Sequence, residues 1–290
     1  PLHRSTETGE IKIAGGDADG AREGQRFGGR IFSIAISSCV LRCIVYDARC
    51  SPAIREEALP HALVTGAARG IGLALTEALV ERGWAVTATC RAPDEAATLH
   101  ALGAAHPELI RIAPLDVADL EAAPRLAARI ETPIDALVNN AGIAWRDTRF
   151  GALDYEAWRR VMEVNLMAPM RVAEAFIEQV AASEHRKIVP ISSSLGSIAT
   201  TTGGNYFYRT SKAALNMAMR SLAKDLAPRG VTVALLSPGY VDTDFTRAVV
   251  GGPPKISARD SGQGLADAII DLTPEDAGRF KRFNGQAVDW

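Results

Sequence analysis

The chain has 290 residues, 47% hydrophobic and 23% charged, which excludes global disorder and allows a packed core. Its formal net charge is -2 with no block of like charges, so no nucleic-acid partner is expected. The four cysteines, Cys39, Cys43, Cys50 and Cys90, match no zinc spacing, which points to a reduced, cytoplasmic chain without a metal site.

Residues 1–57 differ in composition from the rest. Glycine, aspartate and arginine dominate 14–30, and an apolar run over 31–41 is broken by Arg42. That run is shorter than the ~20 residues a membrane-spanning helix needs, so no membrane partner is expected. Behind Arg22, Arg26 and Arg30 it also has the form of a signal core, with residues 36–39 as a lipidation box. The plainer reading is an N-terminal extension with little order.

From residue 58 short apolar runs alternate with amphipathic stretches. A buried strand at 62–65 leads into a glycine turn and a helix over 71–82. Strands follow at 85–89 and 109–115, then a helix at 120–130 and a strand at 134–138. A long helix spans 155–181, a strand 187–191, and a helix 208–226 that Pro228 and Gly230 stop. Pro190 has no N–H, so it belongs at the end of its strand, where the ladder gives way. A strand at 231–236, a weaker helix at 264–272 and a strand near 280–283 follow. The alternation predicts one α/β domain over 58–290, a single Rossmann-type doubly wound parallel sheet with helices on both faces. Such sheets bind ligands beyond the carboxyl ends of their strands.

The turn after the first strand reads TGAARGIG, residues 65–72. Gly66, Gly70 and Gly72, with Arg69 and Ile71, allow a tight turn and let a pyrophosphate approach the backbone. The turn lacks the Gly-Lys-Ser/Thr of a phosphate-transfer loop, which argues against a kinase or ATPase. The second strand ends at Cys90-Arg91, where an NAD enzyme tends to carry an acid. Arg91 and Arg69 match a 2′-phosphate in charge and fork geometry, so NADP(H) is favoured over NAD(H). Two solvated arginines are the plainer alternative.

The stretch YFYRTSK, residues 206–212, holds two tyrosines and one lysine. Tyr208 and Lys212 are four apart and share a helix face, whereas Tyr206 has Thr210 at that offset. Lowering a phenol from ~10 to 7 takes ~4 kcal/mol. A lysine charge at ~4 Å in an effective dielectric of ~20 is worth about as much. The pair is therefore sufficient to make Tyr208 an acid or base near neutrality, although the same spacing also occurs as surface decoration.

These pieces stand in a fixed order with Asp116-Val117, Asn139-Asn140-Ala141-Gly142, Asn165, Ser192-Ser193-Ser194 and SPGYVDTD at 237–244. Over residues 60–290 the sequence resembles the short-chain dehydrogenase/reductase family. The resemblance implies catalytic roles for Asn165, Ser193, Tyr208 and Lys212. Tyr208 would give the proton to a carbonyl oxygen as hydride reaches the carbon. Lys212 would lower its pKa, Ser193 would hold the oxygen, and Asn165 would keep a relay water. Asp116 and Val117 would hold the adenine, Asn140 would line the ribose, and Pro238, Gly239, Val241 and Thr243 would lie along the nicotinamide.

Ser193 precedes Tyr208 by fifteen residues rather than the family's usual thirteen, which leaves Ser192, Ser193 and Ser194 as alternatives. The extra length falls in the Thr/Gly loop 200–205. Stretches 193–198, 203–216 and 283–290 are similar to the sniffer- and C-factor-related carbonyl reductases. That likeness implies an NADPH-linked reductase of ketones, aldehydes or quinones. The alternatives are an acyl-carrier-protein ketoreductase, an alcohol dehydrogenase, or a non-catalytic NADP(H) sensor.

The substrate pocket is expected from 144–150, 195–207 and 240–257, with Trp145, Phe150, Phe207 and Tyr240 as aromatic walls. Arg146 and Arg149 would suit a carboxylate or an acyl-carrier phosphate, and two solvated arginines are the plainer reading. Gly251 and Gly252 read as a lid hinge or a plain loop. Family members pair through two long helices, here 155–181 and 208–226, which implies a homodimer or homotetramer.

Overall fold

The structure, a computed structural model, describes residues 59–145, 149–247 and 253–290. The expected extension 1–57, Arg146 and the hinge glycines Gly251 and Gly252 lie outside the described residues.

Six parallel strands form the main sheet: β1 His61–Thr65, β2 Ala85–Cys90, β3 Ile110–Pro114, β4 Ala136–Asn139, β5 Lys187–Pro190 and β6 Thr232–Val233. Their order is β3-β2-β1-β4-β5-β6. The chain runs outward from β1 in both directions, so a crevice opens beyond the carboxyl ends of β1 and β4. Ala62, Leu63 and Val64 of β1 and Leu137 and Val138 of β4 are fully buried, as expected of strands covered on both faces.

On one face the core joins α1 Gly70–Val80, α2 Ala97–Ala105 and α7 Ala258–Ile270, through Leu75, Leu79, Leu99, Leu265 and Ile269. On the other, α3 Ala122–Ala127, α5 Ala168–Ala181 and α6 Tyr206–Leu226 contribute Leu126, Phe176, Leu215 and Met219. The predicted strand 231–236 is divided. After Val233 the chain resumes as β7 Leu235–Ser237, which pairs in parallel with β8 Phe280–Arg282. The division faces Pro190, whose missing N–H interrupts the β5 ladder until Ser192 N–H reaches the Leu236 carbonyl at 2.7 Å.

The predicted long helix 155–181 is also divided. α4 Tyr155–Met162 is capped by Asp154, whose carboxylate accepts from the N–H groups of Glu156 at 2.9 Å and Ala157 at 3.0 Å. A π-helical turn over Glu163–Met167 then separates α4 from α5. Pro169, four residues after Asn165, has no N–H to give the Asn165 carbonyl, its partner in a continuous α-helix.

Candidate active site

The glycine turn leaves β1 and opens α1. Gly66 has φ of +68°, and a Cβ there would stand 3.0 Å from the Ala141 backbone. At Gly72 a Cβ would lie 2.3 Å from the Gly66 carbonyl, so no larger residue fits. Asn140 closes the other side. Its amide nitrogen donates to the Thr65 carbonyl at 2.9 Å and the Gly66 carbonyl at 3.1 Å. The Thr65 hydroxyl oxygen in turn accepts from the N–H groups of Asn140 and Ala141, both at 3.0 Å. Asn140 thus braces the turn through its amide. Ile71 packs partly into the core beside it.

The first turn of α1 has no side-chain cap and no acid, so its N–H groups and dipole are open to an anion. Beyond β2 and β3, Arg91, Asp116, Asp119, Arg125 and Arg129 line a cleft of about 240 Å³. Arg91 is exposed there, and Asp116 closes a local turn by accepting from Ala118 N–H at 3.0 Å. The Val117 carbonyl takes the Arg171 guanidinium at 3.2 Å. Arg69 points elsewhere: its guanidinium is 3.4 Å from the Asp244 carboxylate, and its side chain is 76% exposed.

Past β7, Gly239 turns with φ of +85°, and the Pro238 carbonyl accepts from the Ser261 hydroxyl at 2.8 Å. Val241 is buried and bridges Ile256, and its carbonyl accepts from the Thr246 hydroxyl. Thr243 reaches back over the glycine turn, with its methyl 3.4 Å from where a Gly70 Cβ would be. The glycine turn and the uncapped helix offer backbone donors that suit a dinucleotide's pyrophosphate.

The buried face of α6 supplies Ser211, Lys212, Leu215 and Asn216. Lys212 is 5% exposed, and its ammonium donates to the Ile191 carbonyl at 2.8 Å. Burial lowers it to about 8. Its Nζ lies 5.8 Å from the centre of the Tyr208 ring. The tyrosine departs from expectation: burial pushes the phenol up to about 12, and the Ser193 hydroxyl beside it opposes that rise. Desolvation of the phenolate outweighs that bond; the half-buried ring has Phe245 against it at 5.5 Å.

Ser193 is the serine whose hydroxyl meets the phenol. Ser192 is buried and donates to the Asn216 side chain at 2.5 Å, while Ser194 starts a short 3₁₀ turn. Asn165, fully buried in the π-helical turn, has its side chain engaged. Its Oδ1 accepts from Ile143 N–H at 2.8 Å, and its Nδ2 donates to the Ile143 carbonyl at 2.8 Å and the Ser211 hydroxyl at 3.0 Å. A Cβ at Gly142 would sit 3.3 Å from Asn165 Oδ1 and 3.9 Å from Lys212 Nζ, so the three meet at one point.

Tyr206 joins an outer cluster with Ile143, Leu153 and Trp158, its ring 6.4 Å from Phe150. Phe207, expected as a pocket wall, is instead fully buried and stacked on Trp158 at 5.1 Å. The reason is helical geometry: Phe207 falls on the face of α6 that packs against α4. Trp145 and Phe150 are exposed, at 44% and 85%. The Tyr240 hydroxyl is buried without a partner, and Lys255 lies 5.6 Å from the centre of its ring.

Residues 60–252 match the family model described as short chain dehydrogenase. The chain belongs to that family. Its members are oxidoreductases, and the parallel sheet above is its frame. A dehydrogenase of 1-hydroxy-2-glutathionyl-2-methyl-3-butene from Rhodococcus sp. (strain AD45) is 37% identical over 233 residues, 79% of this chain and 98% of its own. The carbonyl reductase Sniffer of D. melanogaster superposes with a TM-score of 0.75 at 31% identity, covering 80% of this chain and all of its own. An NADPH-bound carbonyl reductase from chicken fatty liver gives 0.75 at 30%, covering 80% and 99%. The likeness read from the terminal motifs is thus matched in three dimensions. Among the described residues, no helix is long and apolar enough to cross a membrane.

Proposed function

We propose that this family member reduces the carbonyl of an apolar ketone, aldehyde or quinone to the alcohol with NADPH, Tyr208 giving the proton. The observation that carries the reading is the placement of Tyr208: its phenol stands beside the Ser193 hydroxyl, with Lys212 Nζ 5.8 Å from the ring centre, and partial burial holds its pKa up, near 12. At neutral pH it is fully protonated. An alkoxide forming on the substrate is a stronger base than this phenolate, so the proton moves to it downhill. Ser193 donates to the same oxygen as its charge develops. Lys212 keeps a positive charge near the phenolate that is left. Pro169 withholds the α-helical donor of the Asn165 carbonyl, which suits that oxygen to hold a water on the way to Lys212.

A bound nicotinamide supplies the hydride. Gly66, Gly70, Ile71 and Gly72 would receive its pyrophosphate, Asp116 and Val117 the adenine, and Pro238, Gly239, Val241 and Thr243 the nicotinamide end. Arg91, in its cleft with Arg125 and Arg129, is the first candidate for a 2′-phosphate, with Arg69 released from Asp244 as the second. The NADPH-bound chicken reductase supports that choice of cofactor. Phe245, Trp145 and Phe150 offer an apolar, partly exposed rim, which suits an apolar carbonyl.

The test is oxidation of NADPH and of NADH by the purified protein with quinones, aromatic ketones and aldehydes. Tyr208→Phe should remove turnover and keep NADPH binding, while Tyr206→Phe should change little. Arg91→Asp should move preference toward NADH. Loss of activity in Tyr206→Phe rather than Tyr208→Phe would overturn the assignment. The Rhodococcus relative is named a dehydrogenase, which favours a second reading, alcohol oxidation. A phenol held protonated is a poor base for that direction at neutral pH, and an assay with NADP⁺ and secondary alcohols separates the two.

A further inference from the structure

We propose that Trp290 is a positioning residue, which pins the outer limb of the loop between β5 and α6 and thereby shapes the wall beside Tyr208. The consequence for substrate rests on the carbonyl-reductase reading. The anchoring does not.

The loop runs from Ile191 to Asn205 and carries Ser193. Its inner limb is fixed by α6. Lys212 holds the Ile191 carbonyl at 2.8 Å, and Asn216 takes the Ser192 hydroxyl at 2.5 Å and reaches the Gly196 carbonyl at 3.4 Å. Gly196 lies so close to α6 that a Cβ would be 2.8 Å from the Lys212 backbone. No slack remains there.

The outer limb differs. Ile198 is 75% exposed, and residues 198–205 are all exposed. Most of its bonds are short-range: Thr200 N–H to the Ser197 hydroxyl at 3.2 Å, Gly203 N–H to the Thr201 hydroxyl at 3.4 Å, Arg209 to Thr202 at 2.9 Å. Among the described residues, one backbone bond ties this limb to a segment distant in sequence, Ala199 N–H to the Trp290 carbonyl at 2.8 Å.

Trp290 is itself held from two sides. The Arg220 guanidinium of α6 stands 4.7 Å from the centre of its ring, and the Phe280 ring of β8 packs tilted at 5.7 Å. Just before it, Val288 N–H bonds the Phe280 carbonyl at 2.9 Å. One tryptophan thus links β8, α6 and the loop. Fourteen residues separate Ser193 from Tyr208, and the anchor at Ala199 falls near the middle of that span. Its loss would free the limb bearing Ile198 and leave Ser193, Tyr208 and Lys212 fastened by the inner limb.

The experiment compares the full-length protein with Trp290→Ala, Trp290→Phe and Arg220→Gln. Hydrogen exchange is read on peptides covering 197–205, β4 and α6. Steady-state kinetics uses a bulky planar quinone, phenanthrenequinone, and a small aldehyde, butanal, with NADPH affinity measured separately. In Trp290→Ala, exchange over 197–205 should quicken about threefold or more while β4 and α6 hold. KM for the quinone should rise about three- to fivefold, with KM for butanal and NADPH affinity unchanged. Trp290→Phe should restore most of the loss, and Arg220→Gln should reproduce part of it. If Trp290→Ala does not fold, those two variants carry the test.

Unchanged exchange in the loop, or faster exchange spread evenly through β4 and α6, would overturn the anchor. Faster loop exchange with unaltered KM for the quinone would overturn its effect on the wall. Faster loop exchange in a protein that reduces no carbonyl would leave the anchor standing and remove the functional reading beneath it.

Discussion

Tyr208 and Lys212 share a helix face by spacing alone, and they meet in the structure as that spacing requires. The electrostatics did not follow from spacing. A lysine charge is large enough to depress a phenol, yet the phenol stands near 12 and the lysine near 8, because burial works against both charged forms. Phe245 stands against the Tyr208 ring, and Gly196 and the Ile191 carbonyl close on Lys212, contacts that no local pattern announces. The lowered lysine has two consequences. Between about 8 and 10.5 the folded protein holds fewer protons at this site than the unfolded chain, so stability from this group rises with pH there and its burial is a full cost below 8. Turnover has the opposite slope: kcat/KM for carbonyl reduction should decline as pH rises through about 8 and Lys212 loses its charge. Lys212→Met should cut turnover by about 100-fold or more and leave the thermal midpoint unchanged or higher. A flat kcat/KM between about pH 7 and 9.5 would remove Lys212 from the reaction.

At the level of elements, the strands of continuous apolar residues and the glycine turn were legible, since both depend on local sequence. The breaks were less so. The π-helical turn that carries Asn165 follows from Pro169 at the fourth position after it, a signal present in the sequence but hidden inside a strongly helical run. α7 begins at Ala258, ahead of the predicted 264, because Ser257 caps it by accepting from Asp260 N–H at 3.0 Å. α2, rich in alanine, had too little amphipathic contrast to be read at all. The Asp154 cap on α4 fixes where the aromatic cluster of Trp158 and Phe207 sits, so it can be tested alone. Asp154→Ala leaves two N–H groups without their acceptor and should cost about 1 kcal/mol, a fall of roughly 2–4 °C in the thermal midpoint. Asp154→Asn should restore most of it. A midpoint unmoved by the alanine would show that solvent replaces the cap without loss.

Across the described residues, the candidate site gathers at the carboxyl ends of the strands, and a second polar cluster closes the opposite ends. His61 at the start of β1 gives its backbone N–H to Asp135 at 2.9 Å. Its ring contacts the Pro133 carbonyl at 3.0 Å and the Thr87 hydroxyl at 2.9 Å. The carbonyl requires Nδ1–H, so Nε2 accepts from Thr87 and the neutral ring is satisfied on both sides. Nearby, the Lys187 ammonium donates to the Ile269 and Ile270 carbonyls at 3.0 and 2.8 Å, closing the end of α7. Burial lowers the His61 pKa, against the pull of the Pro133 bond and of Asp135, and Arg111 adds to the lowering. An unfolded chain therefore takes up a proton here that the folded chain refuses. The stability it gives is complete above the unfolded value of about 6.5 and is lost as pH falls through the lower folded value. The urea midpoint should drop between about pH 7.5 and 5.5. His61→Gln has no titrating ring at this position, so its drop over the same interval should be smaller. Equal drops in the two proteins would place the acid sensitivity elsewhere in the fold.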